Sequence, residues 1–276
     1  MEVVRAKHAG VCYGVERALD MANQAAVDGS TTYTLGPLIH NPKVVEQLEE
    51  NGIHAAACPE DVVDGTVIIR SHGVEPDVMQ GLVSRGLNVI DATCPHVAKA
   101  QRAAAELRQM VGSVVVIGRA THPEVRGICG HAGDKAVVVA GVEELPELLE
   151  EPVGVVVQTT ESVDKLDAVV DAIRARGIEP VVKNTICFAT RQRQLAAAEL
   201  AEQVDAIVIV GGKNSSNTTH LFEICQAHCP KSYFVESPDE IQPAWFAGCE
   251  KVGLTAGAST PADQIQAVQE CLEGMN

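Results

Sequence analysis

Short runs of valine and isoleucine alternate along the chain with longer segments in which apolar residues recur every three or four positions. The runs include TVIIR, SVVVIG, VGVVVQ and AIVIVGG, and the longer segments include VDKLDAVVDAIRARG and PADQIQAVQECLEG. The short runs predict strands, and the spacing of three and four predicts amphipathic helices. Because strands and helices alternate, we expect parallel strands that are joined by right-handed crossovers.

Three cysteines fall at equivalent places in this alternation. Cys12, Cys94 and Cys187 are separated by 82 and 93 residues, and each lies between a predicted strand and a predicted helix. The residues 28 positions after these cysteines each follow a further predicted strand, and they are His40, His122 and Ser215. A second strand and polar loop also recur, in TVIIRSHGVEPD, VGVVVQTTESVD and VGLTAGASTPAD. The chain therefore has a threefold internal repeat, with a period far longer than that of solenoid proteins.

The repeat predicts an α/β protein made of three similar domains. Each domain is expected to have a small, mostly parallel sheet of about four strands flanked by helices. The boundaries follow the cysteines and give residues 1–94, 95–186 and 187–276. Ligands of open parallel sheets bind beyond the carboxyl ends of the strands, where the cysteines and the polar loops lie. A pseudo-threefold arrangement of the domains around a central cavity would bring these ends together.

The length and net charge of the chain exclude some classes of function. The 276 residues exceed what a single hydrophobic core usually supports, and the formal net charge is −16 without any run of lysine and arginine. Nucleic acid is therefore not an expected partner. We also expect no membrane association, because no apolar stretch reaches the roughly 18 residues of a membrane span and the first residues lack the apolar core of a signal peptide. The sequence predicts a cytoplasmic protein, and a monomer, because no exposed hydrophobic stripe is evident.

Nine cysteines, an odd number, argue against a disulfide framework in a reducing compartment. A thiol at a helix N-terminus is a better nucleophile or metal ligand, because the helix dipole favours the thiolate. Three equivalent thiolates predict a metal centre with one open position, either an iron-sulfur cluster or a catalytic zinc ion. The two cysteines of CQAHC, Cys225 and Cys229, are interpreted as helix packing. The other cysteines have no recognisable partners in the sequence, and they are Cys58, Cys129, Cys249 and Cys271.

The polar loops predict an oxyanion ligand. Histidines at 40, 72 and 122 and the segments KNSSN and TAGAST supply imidazoles, hydroxyls and an amide close to predicted helix starts. Helix N-termini favour negative charge, so a phosphate or diphosphate fits these groups. Neither a Walker A loop nor a GxGxxG turn is present, so a nucleotide cofactor is not indicated. Glu124 has two open interpretations: a first-turn glutamate that stabilises a helix, or the proton donor of the site.

A set of motifs in this order resembles the 4-hydroxy-3-methylbut-2-enyl diphosphate reductase family. These motifs are VCYGVERA, SHG, DATCPHV, HPEVRG, QTTESVD, ICFATRQRQ, GGKNSSNT and TAGAS, and they extend from about Val3 to Ser259. The resemblance implies three α/β domains around a 4Fe-4S cluster held by Cys12, Cys94 and Cys187, with the fourth iron open to the substrate hydroxyl. It further implies reductive removal of water from the allylic diphosphate, which gives isopentenyl and dimethylallyl diphosphate.

The same resemblance implies roles for individual residues. Glu124 would donate the proton, and Thr159 would position Glu124 or the substrate hydroxyl. A ferredoxin or flavodoxin would supply two electrons. His122 would act in both catalysis and substrate binding. The diphosphate would be held by a larger set, namely His40, His72, His122, Ser215, Ser216, Asn217 and Ser259.

Two alternatives come from other function classes. An open three-ligand site also suits a zinc hydrolase of a phosphorylated substrate. A non-enzymatic iron-sulfur redox sensor would use the cysteines but would leave the polar loops without a purpose. Iron content and colour separate the first alternative from the reductase, since zinc has no visible spectrum.

Overall fold

A computed structural model of the chain describes residues 1–27 and 31–275. Within these residues the strands are β1 (Glu2–Arg5), β2 (Thr32–Leu35), β3 (Ile53–Ala56), β4 (Thr66–Ile69), β5 (Asn88–Asp91), β6 (Ser113–Ile117), β7 (Ala136–Val139), β8 (Val153–Val157), β9 (Val181–Lys183), β10 (Ala206–Val210), β11 (Ser232–Val235) and β12 (Lys251–Ala256). The α-helices are α1 (Tyr13–Val27), α2 (Pro42–Glu50), α3 (Pro76–Ser84), α4 (Pro95–Met110), α5 (Pro123–Ala132), α6 (Val163–Arg174), α7 (Phe188–Ala201), α8 (Ser216–His228) and α9 (Ala262–Glu273).

The strands form three parallel sheets of four strands, as the sequence predicted. Sheet 1 has the order β3-β2-β4-β5, sheet 2 the order β7-β6-β8-β9, and sheet 3 the order β11-β10-β12-β1. Every strand pair in the three sheets is parallel. All three sheets therefore have the same arrangement: β2, β6 and β10 each lie between the two strands that follow them along the chain, and β5, β9 and β1 occupy the equivalent edge.

Sheet 2 illustrates why the apolar runs form buried central strands. Successive side chains of β6 point to opposite faces, and both faces are covered by helices. Val114 and Val116 pack with residues of α4 and α5. Val115 and Ile117 pack with residues of α6 on the other face. Continuous runs of valine and isoleucine are what a strand buried on both faces requires.

Strand β1 lies in a different sheet from the one that the chain order suggests. Residues 2–5 pair with β12, in register Val4 to Gly253, and so complete sheet 3. Each cysteine therefore follows the edge strand of one sheet and directly precedes a helix: Cys12 comes after β1, Cys94 after β5 and Cys187 after β9. The division into domains at residues 94 and 186 stays a prediction.

By contacts, the described chain separates into two compact units. Unit 1 consists of residues 1–15, 40–43 and 188–276, and it contains sheet 3. Unit 2 consists of residues 16–39 and 44–187, and it contains sheets 1 and 2. None of the helices among the described residues is long and apolar enough to cross a membrane.

Candidate functional site

Unit 2 holds a buried carboxyl group. Glu124 lies in the first turn of α5 and is only 2% exposed. Its Oε1 accepts a hydrogen bond from the backbone N–H of Thr159 at 2.6 Å, and its Oε2 accepts one from the Thr159 hydroxyl at 3.0 Å. Thr159 follows β8, and Glu124 follows the neighbouring strand β6. The loop after β8 therefore holds the side chain of Glu124. Both carboxyl oxygens are fixed in position.

The environment of Glu124 sets its proton affinity. Burial raises the pKa of Glu124 from an ordinary value of 4.5 to about 7, against the two hydrogen bonds from Thr159, which lower it. The negative charge of Glu161 adds a smaller upward effect on this pKa. Glu161 is itself fully buried, and one of its oxygens lies 2.9 Å from Nζ of Lys165. A carboxyl group with a pKa near neutrality can both hold and release a proton at physiological pH.

His122 lies at the N-terminus of the same helix. Its Nδ1 accepts a hydrogen bond from the backbone N–H of Glu124 at 3.2 Å, which makes His122 the N-cap of α5. In a neutral imidazole the other nitrogen, Nε2, then carries the hydrogen. The ring of His72 packs edge-on against that of His122, with centroids 5.6 Å apart. The structure thus brings together four of the predicted residues, His72, His122, Glu124 and Thr159, in unit 2.

The three predicted ligand cysteines have the same local structure. The residue after each cysteine is the first residue of a helix, and each thiol is partly buried and forms no disulfide with the described residues. Each cysteine also donates its backbone N–H to a carbonyl two residues beyond the end of the neighbouring strand. These bonds are Cys94 to Ser71 at 3.0 Å and Cys187 to Thr159 at 3.0 Å in unit 2, and Cys12 to Ala258 at 3.1 Å in unit 1. The sequence repeat is therefore matched by equivalent hydrogen bonds.

Cys12 is further constrained by the turn that precedes it. Gly10 has φ +100°, a conformation that side chains rarely adopt, and a Cβ at this position would lie 2.8 Å from Cδ1 of Ile265. The carbonyl of Gly10 accepts a hydrogen bond from the Arg193 guanidinium at 2.7 Å. The loop that carries Cys12 therefore approaches α9 closely and is hydrogen-bonded to α7.

Unit 1 brings together the remaining predicted residues. Ser215 is the N-cap of α8, and its hydroxyl accepts the N–H of Thr218 at 3.3 Å. Ser216 and Asn217 form the buried first turn of this helix. Asn217 is only 5% exposed, yet neither polar atom of its amide has a hydrogen-bond partner among the described residues. Buried polar groups are normally paired, so an unpaired amide at a helix N-terminus is suited to bind a ligand.

His40 is attached to the same unit through its backbone. Its carbonyl accepts a hydrogen bond from the Ser259 hydroxyl at 3.0 Å. The next residue, Asn41, is 1% exposed and donates its Nδ2 to the Ser259 carbonyl at 2.9 Å and to Oε1 of Gln264 at 2.8 Å. Its Oδ1 accepts the N–H of Lys43 at 3.1 Å, in the first turn of α2. The sequence interpretation missed Asn41, although an asparagine directly before a proline is a recognisable helix-start signal.

The cysteines other than Cys12, Cys94 and Cys187 are not part of the candidate site. Cys225 and Cys229 are buried in the core of unit 1, which confirms helix packing for CQAHC. Burial raises the pKa of Cys225 to about 12 and that of Cys129 to about 11, so both thiols stay protonated. Hydrogen bonds with two acidic side chains, of which Glu60 has the larger effect, raise the pKa of Cys58. Within the described ranges, no three His, Cys, Asp or Glu side chains form a group that could hold a single metal ion.

Comparisons with known proteins give a consistent result. The model of the family described as LytB protein matches residues 3–273. A 4-hydroxy-3-methylbut-2-enyl diphosphate reductase from Geotalea uraniireducens (strain Rf4) is 48% identical over 100% of this chain and 98% of its own length. A protein of the same name from Geobacter sp. (strain M21) is 49% identical over 95% of this chain and 93% of its own length.

Two solved structures are also similar. One is the (E)-4-hydroxy-3-methyl-but-2-enyl diphosphate reductase described as the terminal enzyme of the non-mevalonate pathway, with a TM-score of 0.72, 41% identity, and coverage of 99% of this chain and 100% of that one. The other is the E-1-hydroxy-2-methyl-but-2-enyl-4-diphosphate reductase from Plasmodium falciparum, with a TM-score of 0.92, 27% identity, and coverage of 98% of this chain and 87% of that one. The fold class predicted from the repeat agrees with both.

Proposed function

The chain belongs to the LytB protein family, and from this membership and the geometry around Glu124 we propose that it reduces 4-hydroxy-3-methylbut-2-enyl diphosphate to isopentenyl and dimethylallyl diphosphate. In this reaction the allylic carbon–oxygen bond breaks, the hydroxyl group leaves as water with one added proton, and the carbon skeleton takes up two electrons and one proton. The single observation that carries the proposal is the buried carboxyl of Glu124, whose pKa lies near 7. Membership of this family does not support the two alternative functions, a zinc hydrolase and an iron-sulfur redox sensor.

Glu124 would protonate the departing hydroxyl group. Hydroxide is a poor leaving group, so a proton delivered as the bond breaks lowers the barrier. The pKa near 7 keeps a large fraction of Glu124 protonated at neutral pH, and Thr159 fixes both of its oxygens. His122, whose Nδ1 is occupied by the backbone of Glu124, would present an Nε2–H donor to the substrate.

We assign the cofactor to Cys12, Cys94 and Cys187. All three are partly buried thiols at helix starts, and thiolates at helix N-termini suit an iron-sulfur cluster. With three protein ligands, a 4Fe-4S cluster keeps one iron open, and when bound it would supply electrons and a Lewis-acid site for the substrate hydroxyl. The equivalent backbone hydrogen bonds of the three cysteines support this choice over the other six.

The diphosphate would be bound by the polar groups that follow the strands. The start of α8 offers the N–H groups and dipole of a helix N-terminus, with the unpaired amide of Asn217 in its first turn. The proposed ligands are the full set named from the sequence, His40, His72, His122, Ser215, Ser216, Asn217 and Ser259. A reducing compartment such as the cytoplasm fits nine cysteines that form no disulfide among the described residues. A monomeric state stays a prediction.

The test uses protein whose cluster has been reconstituted without oxygen. Reduced methyl viologen is mixed with the enzyme, and its absorbance is followed after 4-hydroxy-3-methylbut-2-enyl diphosphate is added. We expect substrate-dependent bleaching and both isoprenoid diphosphates as products. No bleaching from protein with a full complement of iron would contradict the proposal. Glu124→Gln is the matched control, because it keeps the size of the side chain and removes the acid.

A further inference from the structure

One glutamine of unit 1 is buried on a helix face that otherwise carries apolar residues. Gln264 lies in the first turn of α9 and is 8% exposed. The other buried residues of this helix are Ile265, Val268 and Leu272, which belong to the hydrophobic core of the unit. Burying an amide costs free energy unless its polar atoms are hydrogen-bonded, so the partners of Gln264 indicate its role.

The amide of Gln264 is hydrogen-bonded at both of its polar atoms. Its Oε1 accepts a hydrogen bond from Nδ2 of Asn41 at 2.8 Å, and its Nε2 donates one to the carbonyl of Glu236 at 2.6 Å. These partners fix the orientation of the amide, because a reversed amide would turn its nitrogen towards a donor and its oxygen towards a carbonyl. Gln264 therefore joins two segments that are far apart in the sequence.

The first of these segments carries two of the proposed diphosphate ligands. Asn41 directly follows His40, and its Nδ2 also donates to the carbonyl of Ser259 at 2.9 Å. The hydroxyl of Ser259 donates to the carbonyl of His40 at 3.0 Å. We call His40 and Ser259 the His40 pair. One end of the Gln264 amide thus supports the backbone that carries this pair.

The second segment supports the loop that leads into α8. Glu236 directly follows β11, and its Oε1 accepts the backbone N–H of Lys213 at 2.8 Å. Lys213 lies two residues before Ser215, the N-cap of α8. The start of this helix carries the other proposed ligands of unit 1, which we call the α8 group: Ser215, Ser216 and Asn217. The other end of the Gln264 amide thus supports the α8 group through Glu236.

The loop before the α8 group also approaches the His40 pair directly. A Cβ at Gly212, three residues before Ser215, would lie 2.7 Å from the carbonyl oxygen of His40 and 3.3 Å from Cδ of Pro42. Only a glycine fits such an approach, so this loop lies against the backbone of His40. The two sets of ligands therefore belong to neighbouring segments of unit 1, and the buried amide of Gln264 links the same segments a second time.

We propose that Gln264 is a positioning residue that sets the spacing between the His40 pair and the α8 group, and so makes unit 1 selective for a diphosphate over a single phosphate. The inference rests on the proposed function, which assigns the diphosphate to these residues. A single phosphate needs only one of the two sets of ligands. A diphosphate reaches both, and it gains affinity from the second set only if the spacing is already correct.

The first experiment makes the same substitution at two glutamines of α9. Gln264→Met keeps the length of the side chain and removes both hydrogen bonds of the amide, whereas Gln266→Met changes an exposed glutamine whose Nε2 donates to Glu270 at 2.9 Å. The Kd values of inorganic diphosphate and of inorganic phosphate are measured by calorimetry on cluster-loaded protein without oxygen. For Gln264→Met we expect the Kd of diphosphate to rise about tenfold and that of phosphate to stay within about twofold of the parent. Gln266→Met is expected to bind both anions as the parent does.

Turnover provides a second measurement on the same variants. Gln264→Met should raise KM for 4-hydroxy-3-methylbut-2-enyl diphosphate about as much as it raises the Kd of inorganic diphosphate. Its kcat should stay within about twofold of the parent, because the change affects the bound diphosphate and not the reacting carbon–oxygen bond.

A second pair of variants tests the other end of the link at a half-buried residue. Glu236→Leu removes the oxygen that accepts the N–H of Lys213, whereas Glu236→Gln can keep an oxygen there and makes the same change in charge. We expect Glu236→Leu to bind inorganic diphosphate more weakly than Glu236→Gln does. This comparison does not require Gln264→Met to fold.

Three results would overturn the proposal while leaving the proposed function in place. The first is a Kd of diphosphate that is the same in Gln264→Met and Gln266→Met. The second is an equal rise in the Kd values of diphosphate and phosphate, which general damage to unit 1 would cause. The third is equal binding of diphosphate by Glu236→Leu and Glu236→Gln. Diphosphate selectivity that depends on Gln264, in a parent protein that does not oxidise reduced viologen with the substrate, would instead contradict the reductase and support the role of Gln264.

Discussion

Replacing Thr159 by valine should move the pH profile of the enzyme upward. Valine has nearly the same shape but lacks the hydroxyl that donates to Oε2 of Glu124 at 3.0 Å. The backbone bond from residue 159 to Oε1 does not depend on the side chain and should remain. The substitution therefore removes one of the two hydrogen bonds that lower the pKa of Glu124 while burial continues to raise it.

The magnitude follows from the difference between the two protonation states. A hydrogen bond to a charged group is worth about 1.5–3 kcal/mol and one to a neutral group about 1 kcal/mol, so the carboxylate loses roughly 0.5–2 kcal/mol more than the acid does. The middle of this range corresponds to about one pH unit. If Glu124 must be protonated to act, kcat/KM of the parent should fall above about pH 7. In Thr159→Val the fall should begin about one pH unit higher.

The assay is the pH dependence of kcat/KM with reduced methyl viologen as the electron donor, because kcat/KM reports the free enzyme. Glu161→Gln provides a control of opposite sign. It removes the negative charge that raises the pKa of Glu124, so the fall should move to lower pH, by less than the shift in Thr159→Val. An unchanged profile in Thr159→Val, or a shift in the same direction in both variants, would refute the assignment of Glu124 as the acid.

Three further predictions concern the acid, the cysteines and Asn41. Glu124→Gln should lower turnover by about 10²–10⁴ while the Kd for the substrate stays close to that of the parent, as measured by single-turnover kinetics and equilibrium binding. Cys94→Ser should lose iron on reconstitution, whereas Cys129→Ser, which changes a protonated thiol outside the site, should keep it; equal iron contents would contradict the three-cysteine assignment. Asn41→Ala should lower the unfolding temperature, since a lost N-cap alone costs about 0.5–2 kcal/mol, and should raise KM for the diphosphate more than it lowers kcat. A KM equal to that of the parent would show that Asn41 does not position the binding residues.

The sequence allowed the three sheets to be predicted because their spacing is regular. The constant distance from each cysteine to the loop after the next strand reflects one topology that is used three times. The position of β1 was not predictable in the same way, because pairing between residues 2–5 and 251–256 leaves no periodic signal. Chain order alone suggested that these residues belong with the strands that follow them.

The two interpretations of Glu124 could not be separated from the sequence either. A glutamate in the first turn of a helix is usually exposed, and the motif HPEVRG does not reveal what covers it. The carboxyl group is buried because the loop after β8 lies over it and donates two hydrogen bonds from Thr159. That loop lies 35 residues further along the chain. Burial, which sets the pKa, is thus a property of the folded chain and not of the motif.

The pairing of β1 with β12 also determines when folding can be completed during synthesis of the chain. Sheets 1 and 2 contain only residues 32–183, so they can form while the ribosome is still adding the last third. Sheet 3 must wait, because its edge strand was made first and the neighbour of that strand is made last. The backbone of Cys12 is bonded to Ala258, so this thiol reaches its native position only when translation is nearly complete. On the proposed function, insertion of the cluster is then a step that follows synthesis, and a chain that ends before residue 258 is expected to bind the cluster less well.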